Sequence, residues 1–326
     1  MARAKSSGKW VLSRLFRKLP EIEDNRFGPM NGHLKREGIV MLKRFMLLVF
    51  TGVMGIGILF ASGCSRTQMA YNHFDWFLLK RIDHYFTLTS PQETYLEQKI
   101  TVLHTWHRQR ELPMLVDALR ELRTRFKDGL SREDIDWIDE TQSGFWRRFV
   151  EHGLPDFARF LDTVQPEQVA HLRQSMDERN DFLVEQTEMT DEELKADILE
   201  WLYGLLEDWY GELTEDQRRQ IAAWVQPDAE WIGIRLERRN AFQEDFAQLL
   251  KTQPQQGAVY RWLMERVIQP ETRWDPDFKQ RLDAKWEEWK DIFYQADALM
   301  QPHQRQHALD RLEDYLEDFE DLMQEA

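Results

Sequence analysis

Six short runs in the second half and middle of this chain carry the same device: a residue able to cap a helix, followed three positions later by Gln, Glu or Asp. They are Ser90-Pro91-Gln92-Glu93, Ser131-Arg132-Glu133-Asp134, Gln165-Pro166-Glu167-Gln168, Thr190-Asp191-Glu192-Glu193, Thr214-Glu215-Asp216-Gln217 and Gln301-Pro302-His303-Gln304. In a capping box the first side chain accepts from free amides of the opening turn, and the fourth reaches back to the cap's own N–H. Between these starts the apolar residues fall at helical spacing. Leu194, Ile198, Trp201, Leu202, Leu205 and Trp209 share one face; Phe278, Leu282, Trp286, Trp289, Phe293 and Ala296 share another; Leu312, Tyr315, Phe319 and Leu322 share a third. No segment alternates with period two, so no sheet is expected. The prediction is an all-α array of about ten amphipathic helices, with Pro113, Pro155, Pro227, Pro254, Pro270 and Pro276 read as further breaks.

Ahead of that array lies Met41 to Cys64, MLKRFMLLVFTGVMGIGILFASGC. Lys43 and Arg44 precede an uncharged run from Phe45 to Phe60 that is short for a membrane span, which needs about 20 residues. Ala61-Ser62-Gly63-Cys64 then resembles a lipobox, although Leu is commoner than Ala at the first position. The resemblance implies cleavage between Gly63 and Cys64 and acyl chains, palmitate among them, on the Cys64 sulfur. Residues 41–63 are thus expected to be a lipoprotein signal peptide, 64–70 a lipidated tether, and 71–326 an all-helical periplasmic domain. In enterobacterial lipoproteins Asp after the cysteine favours retention in the inner membrane. Ser65 stands there instead, which implies the outer membrane, facing the periplasm.

Residues 1–40 have scattered Lys and Arg, Pro20 and Pro29, and no sustained periodicity. They are expected to be a leader that is untranslated or disordered. Glu37-Gly38 must be encoded by GAR-GGN, which can contain a ribosome-binding GAGG core just ahead of Met41.

Charge divides at the same place. Residues 1–44 carry a balance of +7 within a total of −15, leaving −22 for the rest. Such an acidic domain is repelled by nucleic acid and by anionic headgroups, so its membrane attachment is expected to come from lipid on Cys64. Cys64 is the only cysteine, so no internal disulfide can form and stability must come from apolar packing. Twelve of the 13 tryptophans follow it and supply large buried areas for that purpose. Only seven of the 15 glycines follow it, which leaves little room for phosphate-cradling loops.

Candidate chemistry is sparse. His303 and His307, or His104 and His107, have a spacing that could set two imidazoles on one helix face, but no H-E-x-x-H pattern accompanies them and both pairs are read as surface histidines. Acid pairs such as Glu207-Asp208 and Glu287-Glu288 are read as solvated helix faces, and no nucleophile elbow or Walker loop is present. No enzyme activity, metal or cofactor is expected. The basic spots Trp146-Arg147-Arg148-Phe149 and Arg235, Arg238 and Arg239 are the candidate interaction residues; they could grip a phosphate or lipid headgroup, or pair with carboxylates of neighbouring helices. The acidic last helix, from Asp310 to Asp321, could attract basic clients. Tyr71 to Phe86 is read as the first helix of the core, with a place for its aromatics at the membrane interface as the alternative.

Tyr71-Asn72-His73, Asp75-Trp76, Arg81-Ile82-Asp83 and Tyr85, just behind the lipobox, resemble a family of uncharacterised proteobacterial lipoproteins defined as a domain of unknown function. That resemblance covers essentially all of the chain after Cys64 and brings no catalytic residues. Leu213-Thr214-Glu215-Asp216-Gln217 is similar, locally, to the L-T-x-x-Q motif of Spy-type periplasmic chaperones, with Met189–Glu193 and Leu130–Asp134 as looser versions. The resemblances imply a non-enzymatic envelope protein that binds other proteins, in chaperone fashion. The alternative is a carrier or sensor of an envelope lipid or small ligand in an interhelical cavity.

Overall fold

The computed structural model describes residues 66–252 and 257–324. Among the described residues every regular element is helical and none is a strand. The lipobox, the apolar run before it and residues 1–40 lie outside the described residues.

The chain opens with α1 (Arg66–Asn72) and α2 (Phe74–Phe86), then runs through α3 (Ser90–Trp106), a π-helical turn (His107–Glu111) and α4 (Leu112–Phe126). The long α5 (Arg132–Leu161) is followed by α6 (Pro166–Glu178), α7 (Asp181–Glu188), α8 (Asp191–Tyr210) and α9 (Glu215–Trp224). A second long helix, α10 (Ala229–Lys251), leads to the short α11 (Ala258–Leu263), which runs into a second π-helical turn at Met264–Ile268 and a 3₁₀ turn at Pro270–Arg273. The chain then continues as α12 (Pro276–Ala298) and α13 (Pro302–Gln324).

Two apolar cores result. One gathers Leu112 to Leu119 of α4, Leu194 to Leu206 of α8, Ile221 of α9 and Ala308 to Leu322 of α13. The other gathers Leu79 and Phe86 of α2, Leu96 and Ile100 of α3, Val169 and Leu172 of α6, and Val259 and Leu263 of α11. Two long helices join them. Phe145 of α5 and Ile232 of α10 lie in the first core, while Leu154–Leu161 and Phe246–Leu250 of the same helices lie in the second. Phe160 and Phe319, each about 1% exposed, are fully enclosed; truncating such a ring to alanine costs about 3–5 kcal/mol.

Sequence punctuation and structure differ at four places. Residues 66–70 were expected as tether, yet α1 begins at Arg66, because Ala70 and Tyr71 are drawn into the interior. Pro155 lies inside α5 without ending it. A proline there removes a hydrogen bond, but Leu154, Ala158, Phe160 and Leu161 around it are all buried, and their packing holds the helix together. Pro113 stands in the first turn of α4, just after the π turn, so the chain stays helical from Ser90 to Phe126. The cap expected at Ser90 is one residue earlier, at Thr89, with Gln92 as the reaching residue.

Gln92 belongs to a larger device. Its Nε2 donates to Gln168 Oε1 at 3.1 Å, and Gln168 Nε2 donates back to Gln92 Oε1 at 2.8 Å. Each Oε1 also accepts its own cap's N–H, from Thr89 and from Gln165, both at 3.0 Å. Each Nε2 further donates to the carbonyl two residues before the other cap, Thr163 at 3.1 Å and Thr87 at 3.2 Å. Gln217 and Gln304 repeat the pattern in the first core, with mutual bonds of 2.7 and 3.2 Å. There the cap amides are those of Thr214 (2.9 Å) and Gln301 (3.0 Å), and the carbonyls those of Leu299 (2.9 Å) and Glu212 (3.0 Å). Each core therefore holds two helix starts back to back, locked by a pair of buried amides.

Candidate functional site

The corner of the molecule next to Arg66, where the anchor segment would enter, holds the densest set of unusual side chains. Helical hydrogen bonding runs unbroken from α1 into α2, through His73 N–H to Met69 O and Phe77 N–H to His73 O, both 3.1 Å. The inner face of that rod sets Tyr71 and Phe74 against the end of α3 and the middle of α5. Tyr71 hydroxyl meets His107 Nδ1 at 2.9 Å. His104 packs against both Tyr71 and Phe74, with ring centroids 4.8 and 5.6 Å apart, and Phe149 closes the group against Phe74 and His107.

The π turn explains why His104 and His107 face inward rather than lying on the surface as expected. A turn one residue wider than α-helix re-aims everything at its start, and here it opens at His107 and closes on the buried Glu111. Burial, and then the neighbouring His104, push the His107 imidazole down to about 4. Burial lowers His104 as well, with Arg108 adding to it, and raises the Tyr71 phenol. His104 Nε2 and Trp146 Nε1 are buried without a hydrogen-bonding partner. His303 and His307 are exposed, as expected. Among the described residues no group of three or more His, Cys, Asp or Glu is placed to hold a metal ion.

The interaction candidates divide among several partners. Arg148 binds Glu111 in a forked pair, Nε to Oε1 at 2.9 Å and Nη2 to Oε2 at 2.9 Å, and lies over the Phe145 ring at 4.7 Å. Trp146 is buried and Arg147 exposed. On α10, Arg238 pairs with Asp275 and lies 3.7 Å over Phe278, while Arg239 donates to Asn180. Arg235 is lowered to about 10 by burial and by the adjacent Arg239 charge. The two basic spots are thus tied separately into the fold. Cys64 and Gly63 lie outside the described residues.

The outer face of the α1–α2 rod is different. Met69 is 64% exposed and Trp76 52% exposed, one above the other at a seven-residue interval. Elsewhere an open cleft of about 310 Å³ beside the α12–α13 turn is lined by Lys127, Met300, Pro302, Arg305, Gln306 and Leu309. No described helix is long and apolar enough to cross a membrane.

Sequence reasoning missed a second L-T-x-x-Q run. Leu88-Thr89-Ser90-Pro91-Gln92 fits that pattern as fully as Leu213–Gln217 does, and was hidden by taking Ser90 as the cap. In both runs Thr caps a helix and Gln enters an amide lock.

No curated protein and no solved structure matches the chain. Residues 84–279, from the end of α2 to the start of α12, match the sequence profile of a family of unknown function, DUF6279. The folded unit extends past both ends of that match, since Tyr71 and the α13 residues Leu312 to Leu322 complete the first core. The match spans more than half of the chain, and the chain belongs to that family.

Proposed function

We propose that this is a lipid-anchored protein of the bacterial cell envelope, held by acyl chains on Cys64, whose helical domain binds other proteins without catalysis and in chaperone fashion. The observation that carries the anchoring is positional. The lipobox-like Ala61-Ser62-Gly63-Cys64 stops two residues short of α1, so the packed domain begins directly behind the residue that would carry lipid. Two acyl chains, at roughly 0.8 kcal/mol per buried methylene, would hold it stably.

Protein binding is supported by how charge is distributed. Arg148, Arg238 and Arg239 are engaged within the fold, which takes donors away from a phosphate or headgroup ligand. Meanwhile Asp310, Asp314, Glu317 and Asp321 remain exposed along one face of α13 and suit a basic client. The two L-T-x-x-Q runs extend the likeness to Spy-type chaperones, although their glutamines are spent on the amide locks.

Two measurements test the reading. Mass spectrometry of the mature N-terminal peptide should find a diacylated or triacylated cysteine at position 64; a mature chain beginning elsewhere would remove the anchor. Purified protein should also suppress aggregation of an unrelated unfolded client, and no suppression at molar excess would remove the chaperone role. Cys64→Ala should accumulate as an uncleaved, unlipidated precursor.

A further inference from the structure

We infer that the outer face of the α1–α2 rod is a membrane-docking surface that lies on a phospholipid bilayer beside the anchor. The inference rests on the anchored reading and adds to it a second contact, made by protein side chains.

Three observations lead there. The first is the face itself. At 100° per residue Met69, His73, Trp76, Lys80 and His84 fall within one narrow stripe of the rod, opposite the buried Tyr71, Leu79 and Phe86. Tryptophan is the side chain most at home at the headgroup level, with an apolar body and one N–H, and methionine is an adaptable apolar neighbour.

The second is charge. In a domain with a balance of −22, every α1 or α2 residue with an exposed side chain is neutral or basic, and the two acids of the rod, Asp75 and Asp83, are turned partly inward. Asp83 accepts from Leu88 N–H at 2.9 Å, so it belongs to the α2–α3 turn. Lys80 makes only a loose pair with Glu93 at 3.7 Å, both side chains nearly half exposed, and can turn toward headgroups. The rest of the acidic surface is repelled by an anionic bilayer; this strip is not.

The third is reach. From Cys64 to Arg66 the chain can span at most about 7 Å, and from Arg66 to Met69 the helix rises about 4.5 Å. Met69 therefore sits within about 12 Å of the lipidated residue, and Trp76 about 10 Å further along the rod. A bilayer holding the acyl chains is the nearest large surface available to both.

The lone cysteine makes a clean test. Once Cys64 is acylated, Trp76→Cys gives the full-length protein a single free thiol, and Tyr260→Cys on α11 gives a distant exposed control. Each is labelled with an environment-sensitive fluorophore and placed in vesicles of phosphatidylethanolamine and phosphatidylglycerol containing spin-labelled lipid. Docking predicts quenching by that lipid at least twofold stronger at position 76 than at 260, with matching protection from aqueous iodide, and Lys80→Glu with Arg81→Glu should weaken both. Iodide access at position 76 equal to that at 260 would overturn the inference. Iodide protection without lipid quenching would overturn it too, since the face would then be covered by residues 45–60 or by a second copy. Labelling of Cys64 in the parent chain would instead sink the anchor, and is scored separately.

Discussion

Gln217 and Gln304 hold each other by two amide hydrogen bonds, 2.7 and 3.2 Å long, although 87 residues separate them. Both are at most 4% exposed. Neither amide has a spare group: each oxygen also serves its own helix cap, and each nitrogen also serves a carbonyl at the end of the preceding helix pair. The same closed arrangement joins Gln92 to Gln168 in the other core.

Removing one member should therefore cost more than removing both would suggest. Gln217→Leu leaves Gln304, the Thr214 amide and the Leu299 carbonyl buried with fewer partners, at a cost of about 1–3 kcal/mol for each group left unsatisfied. Replacing both glutamines with leucine removes the two amides from each other's need. The double variant should fall short of the sum of the singles by about 1 kcal/mol or more in urea unfolding, the signature of direct coupling. Strict additivity would show that the two helix starts are held independently.

Arg148 and Glu111 should respond unequally to loss of the partner. The Glu111 side chain is 4% exposed and that of Arg148 38% exposed. Arg148→Ala strands a carboxylate inside the π turn, a change that costs about 3–5 kcal/mol where a buried pair is broken. Glu111→Gln leaves an arginine already able to reach water and should cost clearly less. Chemical unfolding of the two variants gives the ordering, and a larger loss for Glu111→Gln would contradict it.

The all-helical class was legible because caps and 3.6-residue spacing are local signals; Leu312, Tyr315, Phe319 and Leu322 are all buried as their spacing required. Long-range partnerships were not legible. Glu111 lies 37 residues before Arg148, and Asp275 lies 37 after Arg238, so the sequence shows bare basic spots where the fold has pairs. The π turn shifts the register at His107 and hides the burial of that residue from any helical-wheel reading. Pro155 reads as a stop because the buried neighbours that hold α5 together across it become neighbours only after folding.

Burial of His107 should make the domain lose stability in mild acid. Its imidazole is held at about 4 in the folded state, against about 6.5 when unfolded. The folded form therefore keeps it neutral while the unfolded form takes up a proton. The resulting stability is fully present above about pH 6.5 and is lost as pH falls toward 4, by about 3 kcal/mol in total. His104 and His84 are lowered too and act in the same direction. His107→Phe combined with Tyr71→Phe, which removes both ends of the 2.9 Å bond, should flatten the slope between pH 6.5 and 5. That window lies above the range where the carboxylates titrate, and an unchanged slope there would show that His107 is not its source.

Asp297 is the most heavily engaged carboxylate described. Its side chain, 3% exposed, accepts from Tyr210 hydroxyl at 2.8 Å, from Leu130 N–H at 2.9 Å and from Arg305 Nη1 at 3.0 Å. One side chain thus ties the ends of α8 and α12 and the start of α13 to the α4–α5 turn. Arg305 in turn lies over Gly129, whose φ of +92° suits glycine, and a Cβ built there would meet Arg305 Nη1 at 2.6 Å. Asp297→Ala should cost about 3–5 kcal/mol, because it strands the guanidinium and the Tyr210 hydroxyl in the interior. Asp297→Asn keeps the shape and one acceptor and should cost less. Gly129→Ala should destabilise by at least about 1 kcal/mol, combining a positive φ with a displaced arginine. Combining Gly129→Ala with Arg305→Ala removes the clash and leaves the backbone strain. If the two changes were additive in thermal unfolding, the contact between Arg305 and Gly129 would carry no weight.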